Sequence, residues 1–327
     1  MAAPLSEFDL IARFFAPIAA PGGLGLLDDA ALLAPQPGCD LVLTKDAIVE
    51  GVHFFAEDPP GAVARKALAV NLSDLAAKGA TPLGFLLALG RGPRQDEEWL
   101  AAFAGGLAEE ARAGRCPLLG GDTVRTGQAF FSITAFGAVP AGRMVRRQAG
   151  APGDLLFVSG TIGDAALGLR LRLEPDAAWS RALPPAARAH LLDRYLHPAP
   201  RLALAPVLLD HARAAMDISD GLVGDADKLV AGLGAAFDIA AVPLSEAARA
   251  AIAREPALRD TALTGGDDYE ILAAVPLEQA AAFTAGAERA GVPVTGIGRL
   301  LPAGSGIVWR GDDGAARLFS NRSFRHF

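Results

Sequence analysis

Apolar side chains recur at helical spacing in the amino-terminal third of the sequence. In LSEFDLIARFF, Ser6 is followed three residues later by Asp9, a pair typical of a helix start. AVARKALAVNLSDLAAKGA predicts a second helix, and DEEWLAAFAGGLAEEARAGR predicts a third with an acidic first turn. The second helix has one face of leucines and one polar face, the latter made of Asn71, Asp74 and Lys78.

Extended segments alternate with helices along the chain. Apolar or β-branched runs predict strands in DLVLTKDAIVEGVHFF, CPLLGGD, AFFSITAFGAVP, DLLFVSG, AFDIAAV and YEILAAV. This alternation indicates an α/β (α+β) fold. From Pro140 to Asp154, PAGRMVRRQAGAPGD breaks the periodicity and is rich in Gly, Ala and Pro, which is typical of a linker. We therefore expect two domains of similar size, residues 1–140 and residues 141–327.

Composition narrows the class of protein. The chain has 327 residues, 51% hydrophobic and 20% charged, which is enough for two cored domains. No apolar run approaches the roughly 20 residues that span a bilayer, and MAAPLSEFDLIARFF lacks the features of a secretory signal, so we expect a cytoplasmic protein without a membrane partner. A formal net charge of -7 argues against a nucleic-acid partner, because a duplex binder needs a basic face. Cys39 and Cys116 have neither metal-ligand spacing nor a disulfide framework.

Aspartates recur next to glycine or another small residue, where loops leave a scaffold. They lie in LLDDAALL, LTKDAIVEGVHF, NLSDLAAKGA, LLGGDTVRTG, MDISDGL and LTGGDDYEIL. Carboxylates without Cys or His partners suit Mg²⁺ or Mn²⁺ rather than Zn²⁺. Because Mg²⁺ completes its coordination with water and nucleotide oxygens, this set indicates a polyphosphate substrate. In GLLDDAALLA, two adjacent carboxylates in an apolar stretch also predict a positive partner.

Three further stretches are candidates for binding phosphate. LGGDT presents the N–H groups of a glycine pair, and SGTIGDAALG is a glycine turn leading into a helix start. RRQAGAPG contributes two guanidinium groups, Arg146 and Arg147, that match phosphate oxygens. The sequence contains neither G-x-x-x-x-G-K-[ST] nor G-x-G-x-x-G, which disfavours a P-loop kinase and a Rossmann dehydrogenase.

Each motif also has a purely structural interpretation. An Asp beside Gly most often forms a turn or caps a helix, as Asp220 would in SDGL. His53 alone is more often a structural histidine than a ligand contact, and Phe324 and Phe327 alone are packing residues of the chain end. The set as a whole favours a site, because several turns would each have had to select Asp independently.

Taken together, the motifs resemble the thiamine-monophosphate kinase family, in the superfamily of aminoimidazole ribonucleotide synthetase and selenophosphate synthetase. The resemblance runs from about Phe8 to the last residue, and is carried by LLDDAALL, TKDAIVEGVHF, KALAVNLSDLAAKGATPLG, LLGGDTVRTG, RQAGAPGDLLFVSGTIGDAALGL, MDISDGL and GGDDYEIL. It implies a two-domain PurM-like fold: an amino-terminal α/β domain that dimerises through its sheet, then a carboxyl-terminal α/β domain. ATP would bind in a cleft shaped by the homodimer, and its γ-phosphoryl group would pass directly to the phosphate of thiamine monophosphate with the help of several Mg²⁺ ions.

The resemblance also implies residue roles. The implied Mg²⁺ ligands are Asp29, Thr44, Asp46, Asp74, Asp122 and Asp217, with Asp220 holding a further ion. The implied nucleotide contacts are Gly121, Asp122, Arg147 and Ser219. The implied contacts to the thiamine phosphate are His53 and Asp267, and Phe324 is a candidate for stacking on thiamine. No general acid or base is implied, because the acceptor is already a phosphate oxyanion and positioning can carry the catalysis.

The chain departs from the family pattern at four positions. Leu27 replaces the glycine that usually precedes the aspartate pair, and Asp267 stands where Glu is common. Lys45 replaces a small hydroxyl residue or Asp beside the metal, which predicts a fixed positive charge in part of one Mg²⁺ site. Asn321 replaces the usual aromatic residue near the carboxyl terminus, so the stacking role passes to Phe324.

Two alternatives stay open from the sequence. Another ATP-dependent synthetase of the same superfamily would use the same nucleotide site on a different acceptor. A non-catalytic nucleotide-binding dimer would bind ATP without turning it over, its metal sites weakened by Lys45.

Overall fold

The computed structural model describes residues 6–34 and 36–323. Contacts between Cα atoms divide the chain into two compact units. The amino-terminal unit comprises Met1–Leu75 and Ala80–Gly142, and the carboxyl-terminal unit comprises Ala76–Gly79 and Arg143–Phe327. Helices pack on a β-sheet in each unit, which confirms the α/β class. Within the two described ranges, no helix combines the length and the apolar character that a membrane crossing needs.

A four-stranded sheet forms the centre of the amino-terminal unit. The regular elements from the start of the chain to Pro140 are α1 (Glu7–Leu10), β1 (Cys39–Val49), α2 (Pro60–Ala77), β2 (Thr81–Arg91), α3 (Glu97–Ala113), β3 (Leu118–Arg125) and β4 (Phe130–Pro140). The strand order is β1-β4-β2-β3. Strand β4 is antiparallel to both β1 and β2, whereas β2 and β3 are parallel.

The core of this unit lies between one face of the sheet and the helices α2 and α3. The predicted leucine face of α2 is fully buried: Leu68, Leu72 and Leu75 each have 0% exposure. On α3, the ring of Phe103 lies 4.5 Å from that of Phe131 on β4, centroid to centroid. Trp99 stacks on both rings. Helical spacing in the sequence therefore identified the buried face of α2.

Two helix starts follow their sequence signals. Ser6 Oγ accepts the N–H of Asp9 at 3.2 Å, and the Asp9 carboxylate accepts the backbone N–H of Ser6 at 3.3 Å, which completes a capping box. Asp96 caps α3 by accepting the N–H of Trp99 at 2.9 Å. The first helix is shorter than its pattern predicts, because a π-helical turn over Ile11–Phe15 follows α1 and carries two adjacent buried phenylalanines.

A seven-stranded sheet forms the centre of the carboxyl-terminal unit. Its elements are β5 (Leu155–Ser159), α4 (Asp164–Leu173), α5 (Ala178–Ala182), α6 (Pro185–Leu196), α7 (Ala205–His211), β6 (Ala214–Ile218), α8 (Leu222–Val230), β7 (Gly234–Asp238), α9 (Glu246–Arg254), α10 (Leu258–Thr264), β8 (Glu270–Val275), α11 (Ala280–Arg289), β9 (Val294–Leu301), β10 (Ile307–Arg310) and β11 (Ala316–Arg317). The strand order is β11-β10-β7-β9-β5-β8-β6. Neighbouring strands are antiparallel except β10 and β7, which are parallel.

Both faces of the larger sheet are buried. Alternate residues of β8 enter different cores: Leu272 packs with α8 on one side, and Ile271 packs with α7 and α11 on the other. Burial on both faces explains why YEILAAV is a continuous apolar run rather than an alternating one. Strand β6, with Ala214 to Ile218 all buried, is built in the same way.

The two cysteines differ in their environment. Cys116 is fully buried, and this burial raises the pKa of its thiol to about 12, although a backbone hydrogen bond to Gly84 partly offsets the effect. We expect Cys39 alone to react quickly with a thiol reagent in the native protein at pH 8, because Cys116 is buried and its raised pKa keeps it in the unreactive thiol form. Absorbance of the released chromophore should show one fast thiol per chain and a second after unfolding in guanidinium. A native Cys39→Ser variant that still shows a fast thiol would contradict this expectation.

Candidate active site

Strand β1 and helix α2 bring three of the predicted polar residues together. The side chains of Thr44 and Asp46 lie on the face of β1 that meets α2, because residues two apart share a face of a strand. Thr44 Oγ1 donates a hydrogen bond to Asp74 Oδ2. The amide of Asn71, which is fully buried, accepts the backbone N–H of Asp46 at 2.9 Å and donates to the carbonyl of Ala67. The polar face of α2 therefore binds β1 through Asn71 and Asp74, and it carries one candidate metal ligand, Asp74.

Lys45 lies on the opposite face of β1. Its ammonium donates a hydrogen bond to Ser132 Oγ on the neighbouring strand β4. Period-two alternation separates this side chain from those of Thr44 and Asp46. Lys45 therefore points away from the group formed by Thr44, Asp46 and Asp74, and the expectation that its charge replaces part of one Mg²⁺ site stays a prediction.

A cavity of about 890 Å³ lies in the amino-terminal unit, on the sheet face that carries Lys45. Its sheet wall includes Leu43, Leu86, Phe136 and Asp122, and Asp29 lines it from the segment before β1. Two predicted metal ligands from distant parts of the sequence thus line one cavity. The mixture of apolar walls and a few polar groups is typical of a small-molecule site.

Gly121 also lines this cavity, within strand β3 rather than in a loop. The LGGDT glycines pair with β2, Gly120 with Leu86 and Gly121 with Leu87. A Cβ at Gly121 would collide with the carbonyl oxygen of Leu87. The glycine is therefore required by the close approach of two strands, a role that the sequence pattern alone did not reveal.

The aspartate pair that opens LLDDAALL is exposed. Both Asp28 and Asp29 are solvent-accessible, and Leu27 and Leu32 around them are 91% and 68% exposed. The expected desolvation cost is therefore absent in this structure, because the apolar stretch is exposed at the surface. The argument from burial for a positive partner was wrong, although Asp29 stays a candidate ligand by its position on the cavity wall.

His53 follows β1 in a turn and makes a local structural contact. Its Nδ1 accepts the backbone N–H of Val49 at 3.1 Å, so that Nε2 carries the proton in the neutral ring. Lys66 donates to the backbone carbonyl of the same residue at 3.2 Å. The ring orientation is thus fixed by the turn that Val49 and His53 form.

In the carboxyl-terminal unit, the predicted ligands Asp217 and Asp220 lie at and just after the end of β6. Asp225 shapes the loop that follows: its Oδ2 accepts the N–H groups of Ser219 and Asp220 at 3.0 and 2.9 Å. Lys228 donates to Asp225 Oδ1 at 2.7 Å and to Asp220 Oδ2 at 2.5 Å. An ion at Asp220 would therefore share this carboxylate with an ammonium group.

Burial and neighbouring charges have opposite effects on the pKa values of Asp225 and Lys228. Burial raises the pKa of Asp225, and the nearby Lys228 only partly offsets that effect. Burial also lowers the pKa of Lys228, but its hydrogen bonds to Asp220 and Asp225 outweigh burial and the net shift is upward. Sequence reasoning missed both Asp225 and Lys228. The available signal was their spacing of three residues within one predicted helix.

The GGDDYE motif forms a strained connection into β8. Asp267 and Tyr269 have φ of 71° and 51°, a left-handed conformation that costs roughly 1–2 kcal/mol for each residue that is not glycine. The N–H of Asp267 donates to the carbonyl of Ser219 at 2.9 Å, and that of Tyr269 to the carbonyl of Ile218 at 2.8 Å. Two predicted site residues, Asp267 and Ser219, are thus joined through their backbones.

The alternate residues of the motif are buried and anchored. Both carboxylate oxygens of Asp268 accept the N–H of Gly163, at 2.8 and 2.9 Å. Glu270, with 0% exposure, accepts Ser159 Oγ at 2.6 Å, Arg194 at 3.2 Å and Arg201 Nε at 2.7 Å. These hydrogen bonds hold Asp268 and Glu270 in place. They thereby stabilise the left-handed conformation of the neighbouring residues Asp267 and Tyr269.

The glycine turn before α4 is already bonded to an acidic side chain of the protein itself. SGTIGDAALG was a candidate phosphate site, because a helix start presents free N–H groups. The N–H of Gly163, the cap residue of α4, points instead at the Asp268 carboxylate. Burial raises the pKa of Asp268 well above its usual value, and the hydrogen bond from Gly163 opposes that shift.

The predicted site residues are distributed over both units. Those in the amino-terminal unit are Asp29, Thr44, Asp46, His53, Asp74, Gly121 and Asp122, and those in the carboxyl-terminal unit are Arg147, Asp217, Ser219, Asp220 and Asp267. Among the residues that the structure describes, no three His, Cys, Asp or Glu side chains are grouped so that they could hold a metal ion. Phe324 lies outside the described residues.

Two family models match the chain: the N-terminal domain of AIR synthase related proteins over residues 27–139 and their C-terminal domain over residues 151–310. The thiamine-monophosphate kinase of Caulobacter vibrioides is 44% identical over 321 residues, which is 95% of this chain and 89% of that protein. The chain belongs to the thiamine-monophosphate kinase family. Membership confirms the resemblance carried by the sequence motifs.

Solved structures of thiamine-monophosphate kinases share the fold. The crystal structure of the enzyme from Stenotrophomonas maltophilia has a TM-score of 0.80 and 40% identity, covering 89% of this chain and 91% of that one. A structure of AaThiL complexed with AMPPCP and TMP has a TM-score of 0.78 and 29% identity, with 100% of both chains covered. The expected two-domain PurM-like fold is therefore confirmed.

The donor set suits the Mg²⁺ that a thiamine-monophosphate kinase is expected to use. Thr44 and Asp74 already bring a hydroxyl and a carboxylate into direct contact, and Asp29 and Asp122 line one cavity. All four offer oxygen, the atom that Mg²⁺ prefers. Arg147 is exposed on the segment between the last strand of the first sheet and β5, where its guanidinium is accessible to an anion.

Proposed function

We propose that this protein phosphorylates thiamine monophosphate with ATP, forming thiamine diphosphate and ADP. The observation that carries the proposal is identity of 44% to a thiamine-monophosphate kinase across 95% of the chain. The related structure that contains AMPPCP and TMP supports both substrates. The reaction class is phosphoryl transfer with a phosphate group as the acceptor.

The chemistry asks for positioning rather than for acid–base catalysis. The attacking oxygen of thiamine monophosphate is already an oxyanion, so no residue has to remove a proton from it. The main obstacle is repulsion between two anionic substrates. Bound Mg²⁺ would neutralise that charge. The chain's own contribution is to hold the oxygen ligands and the substrate contacts in fixed positions.

We assign the Mg²⁺-binding role to seven residues: Asp29, Thr44, Asp46, Asp74, Asp122, Asp217 and Asp220. Nucleotide binding is assigned to Gly121, Asp122, Arg147 and Ser219, and acceptor binding to His53, Asp267 and Phe324. Support comes from the Thr44–Asp74 contact, from the shared cavity of Asp29 and Asp122, and from the backbone bond between Asp267 and Ser219.

We further propose that residues 1–140 bind ATP and Mg²⁺ and form a homodimer, while residues 141–327 carry the remaining nucleotide and substrate residues. The cavity face of the smaller sheet supports a dimer, because Leu41 and Leu43 of β1 are 45% and 60% exposed. Exposed apolar patches of this kind mark interaction surfaces. Light scattering should show a particle with twice the mass of the chain. A cytoplasmic location stays a prediction.

Product analysis tests the proposed reaction. The purified protein is incubated with ATP and MgCl₂ and with thiamine monophosphate, thiamine, formylglycinamidine ribonucleotide or no acceptor. ADP release is followed, and the phosphorylated product is identified by mass. We expect thiamine diphosphate from the monophosphate alone.

Other outcomes would select the alternatives. Turnover with formylglycinamidine ribonucleotide would identify a different synthetase of the superfamily. Binding of ATP without ADP release from any acceptor would contradict the kinase proposal and favour a non-catalytic nucleotide-binding dimer.

A further inference from the structure

Lys228 bridges two aspartates at the start of helix α8. Its ammonium donates to Asp225 Oδ1 at 2.7 Å and to Asp220 Oδ2 at 2.5 Å. Asp225 and Lys228 are three residues apart on α8, and a long side chain on a helix extends towards the amino-terminal end of that helix. The ammonium therefore reaches back to the loop that precedes α8.

The two carboxylates differ in their access to solvent. The side chain of Asp225 has 0% exposure, and its Oδ2 also accepts the N–H groups of Ser219 and Asp220. The side chain of Asp220 is 36% exposed, and that of Lys228 is 38% exposed. Asp225 is thus a buried structural acceptor, whereas an ion from solution can reach Asp220.

The side chain of Lys228 stays charged in this environment. Burial alone would lower the pKa of Lys228, but its hydrogen bonds to Asp220 and Asp225 raise that pKa above its ordinary value. The chain itself therefore holds a positive charge against Asp220 Oδ2 at neutral pH.

A divalent ion at Asp220 would have to share the carboxylate with this charge. Asp220 is one of the oxygen ligands that we assign to Mg²⁺, and one of its two oxygens already accepts a hydrogen bond from the ammonium. Two cations on one carboxylate repel each other, and water and salt screen this repulsion only in part at a partly buried position. The negative charge that Asp220 offers to a metal ion is thus partly neutralised before the ion binds.

We propose that Lys228 is a built-in competitor of the divalent ion at Asp220, which keeps this ion weakly bound while the protein is free of nucleotide. The inference rests on the assignment of Asp220 as an ion ligand in the proposed kinase function. A polyphosphate supplies further negative oxygens, so the ion binds mainly together with ATP. Lys228 thus makes this ion one that arrives with the nucleotide, not a resident of the free protein.

Binding of Mn²⁺ to the full chain without nucleotide tests this role. Mn²⁺ suits the same oxygen ligands as Mg²⁺, and the electron paramagnetic resonance signal of free Mn²⁺ shows how much of the ion is bound. We expect Lys228→Gln to lower the Kd of one Mn²⁺ per chain at least about tenfold, because glutamine removes the positive charge and stays polar. Lys228→Arg retains the charge and should bind Mn²⁺ as the wild type does.

Two further variants locate the gain and separate it from a change in net charge. In the double variant Lys228→Gln with Asp220→Asn, the tighter Mn²⁺ binding should disappear, because the charged ligand is removed. Arg249→Gln changes the net charge by the same amount at an exposed position of α9 and should leave Mn²⁺ binding unchanged.

A third variant guards against a loss of folding. Lys228→Gln leaves the buried carboxylate of Asp225 without its positive partner, which is destabilising. Lys228→Gln combined with Asp225→Asn removes the buried charge together with its partner and should show the same gain in Mn²⁺ affinity. Circular dichroism identifies the variants that are folded, and only these are compared.

The outcomes distinguish this inference from the proposed function. Unchanged Mn²⁺ affinity in folded variants that lack the charge of Lys228 would overturn the competitor role. A gain that persists after Asp220→Asn, or an equal gain in Arg249→Gln, would also overturn it. A wild-type protein that makes no thiamine diphosphate would overturn the proposed reaction, whereas the Mn²⁺ comparison needs no turnover and decides the role of Lys228 separately.

Discussion

Asp74→Asn is expected to lower kcat for thiamine diphosphate formation by at least about 100-fold, because metal-supported stabilisation of the transition state amounts to several kcal/mol and about 1.4 kcal/mol corresponds to tenfold. Asparagine keeps the shape of the side chain and one oxygen, so Thr44 Oγ1 retains an acceptor. The charge that a Mg²⁺ ligand needs is lost. Initial rates at saturating ATP, over a range of Mg²⁺ concentrations, measure the effect.

The matched control for this substitution is Asp96→Asn. Asp96 caps α3, and asparagine caps a helix about as well as aspartate. We expect wild-type kcat in this variant and unchanged circular dichroism in both. Near-normal turnover of Asp74→Asn would show that Asp74 is not part of the site. A weaker helical signal in the circular dichroism of this variant would show that the substitution disturbed the fold.

Glu270→Gln is expected to lower the free energy of unfolding by about 3–5 kcal/mol, the usual effect of removing one partner from a buried ion pair. Glu270 is fully buried and is paired with Arg194 and Arg201, which are 15% and 23% exposed. Glutamine leaves these guanidinium groups without a compensating negative charge. Urea unfolding followed by circular dichroism gives the difference, and Glu278→Gln, at an exposed glutamate, is the control that should be silent.

A smaller loss would contradict the structural role of this ion pair. If the free energy of unfolding of Glu270→Gln is lower than that of wild type by less than about 1 kcal/mol, water must reach the two arginines. Ser159→Ala provides an independent check, because it removes the hydroxyl that donates to the same carboxylate and accepts the N–H of Ile271 at 2.8 Å, and it should cost about 1.5–3 kcal/mol.

Local sequence patterns predicted local structure well. The capping box at Ser6 and the leucine face of α2 depend on residues three to seven positions apart, and both were confirmed. The polar face of α2 was also predicted, and two of its members, Asn71 and Asp74, bind β1. Spacing within one element is visible in a sequence because the helix itself brings those residues together.

Contacts between distant segments were the part that patterns did not reveal. The carboxyl group at the start of α4 belongs to Asp268, 105 residues away from Gly163, and the partner of Ser159 is 111 residues away. The side of β1 on which Lys45 lies depends on which strand face meets α2, and that follows from tertiary packing. The same limitation concealed Asp225 and Lys228, whose partners become evident only when the loop after β6 folds against α8.

The bond between Gly163 and Asp268 has a practical consequence for solution work. The N–H of Gly163 is already bonded to a carboxyl group of the protein, so it is not a free donor for inorganic phosphate or sulfate from a buffer. Inhibition by such anions during purification or assay is therefore expected to originate elsewhere on the molecule. Competition of phosphate with ATP or with thiamine monophosphate would point to a substrate site.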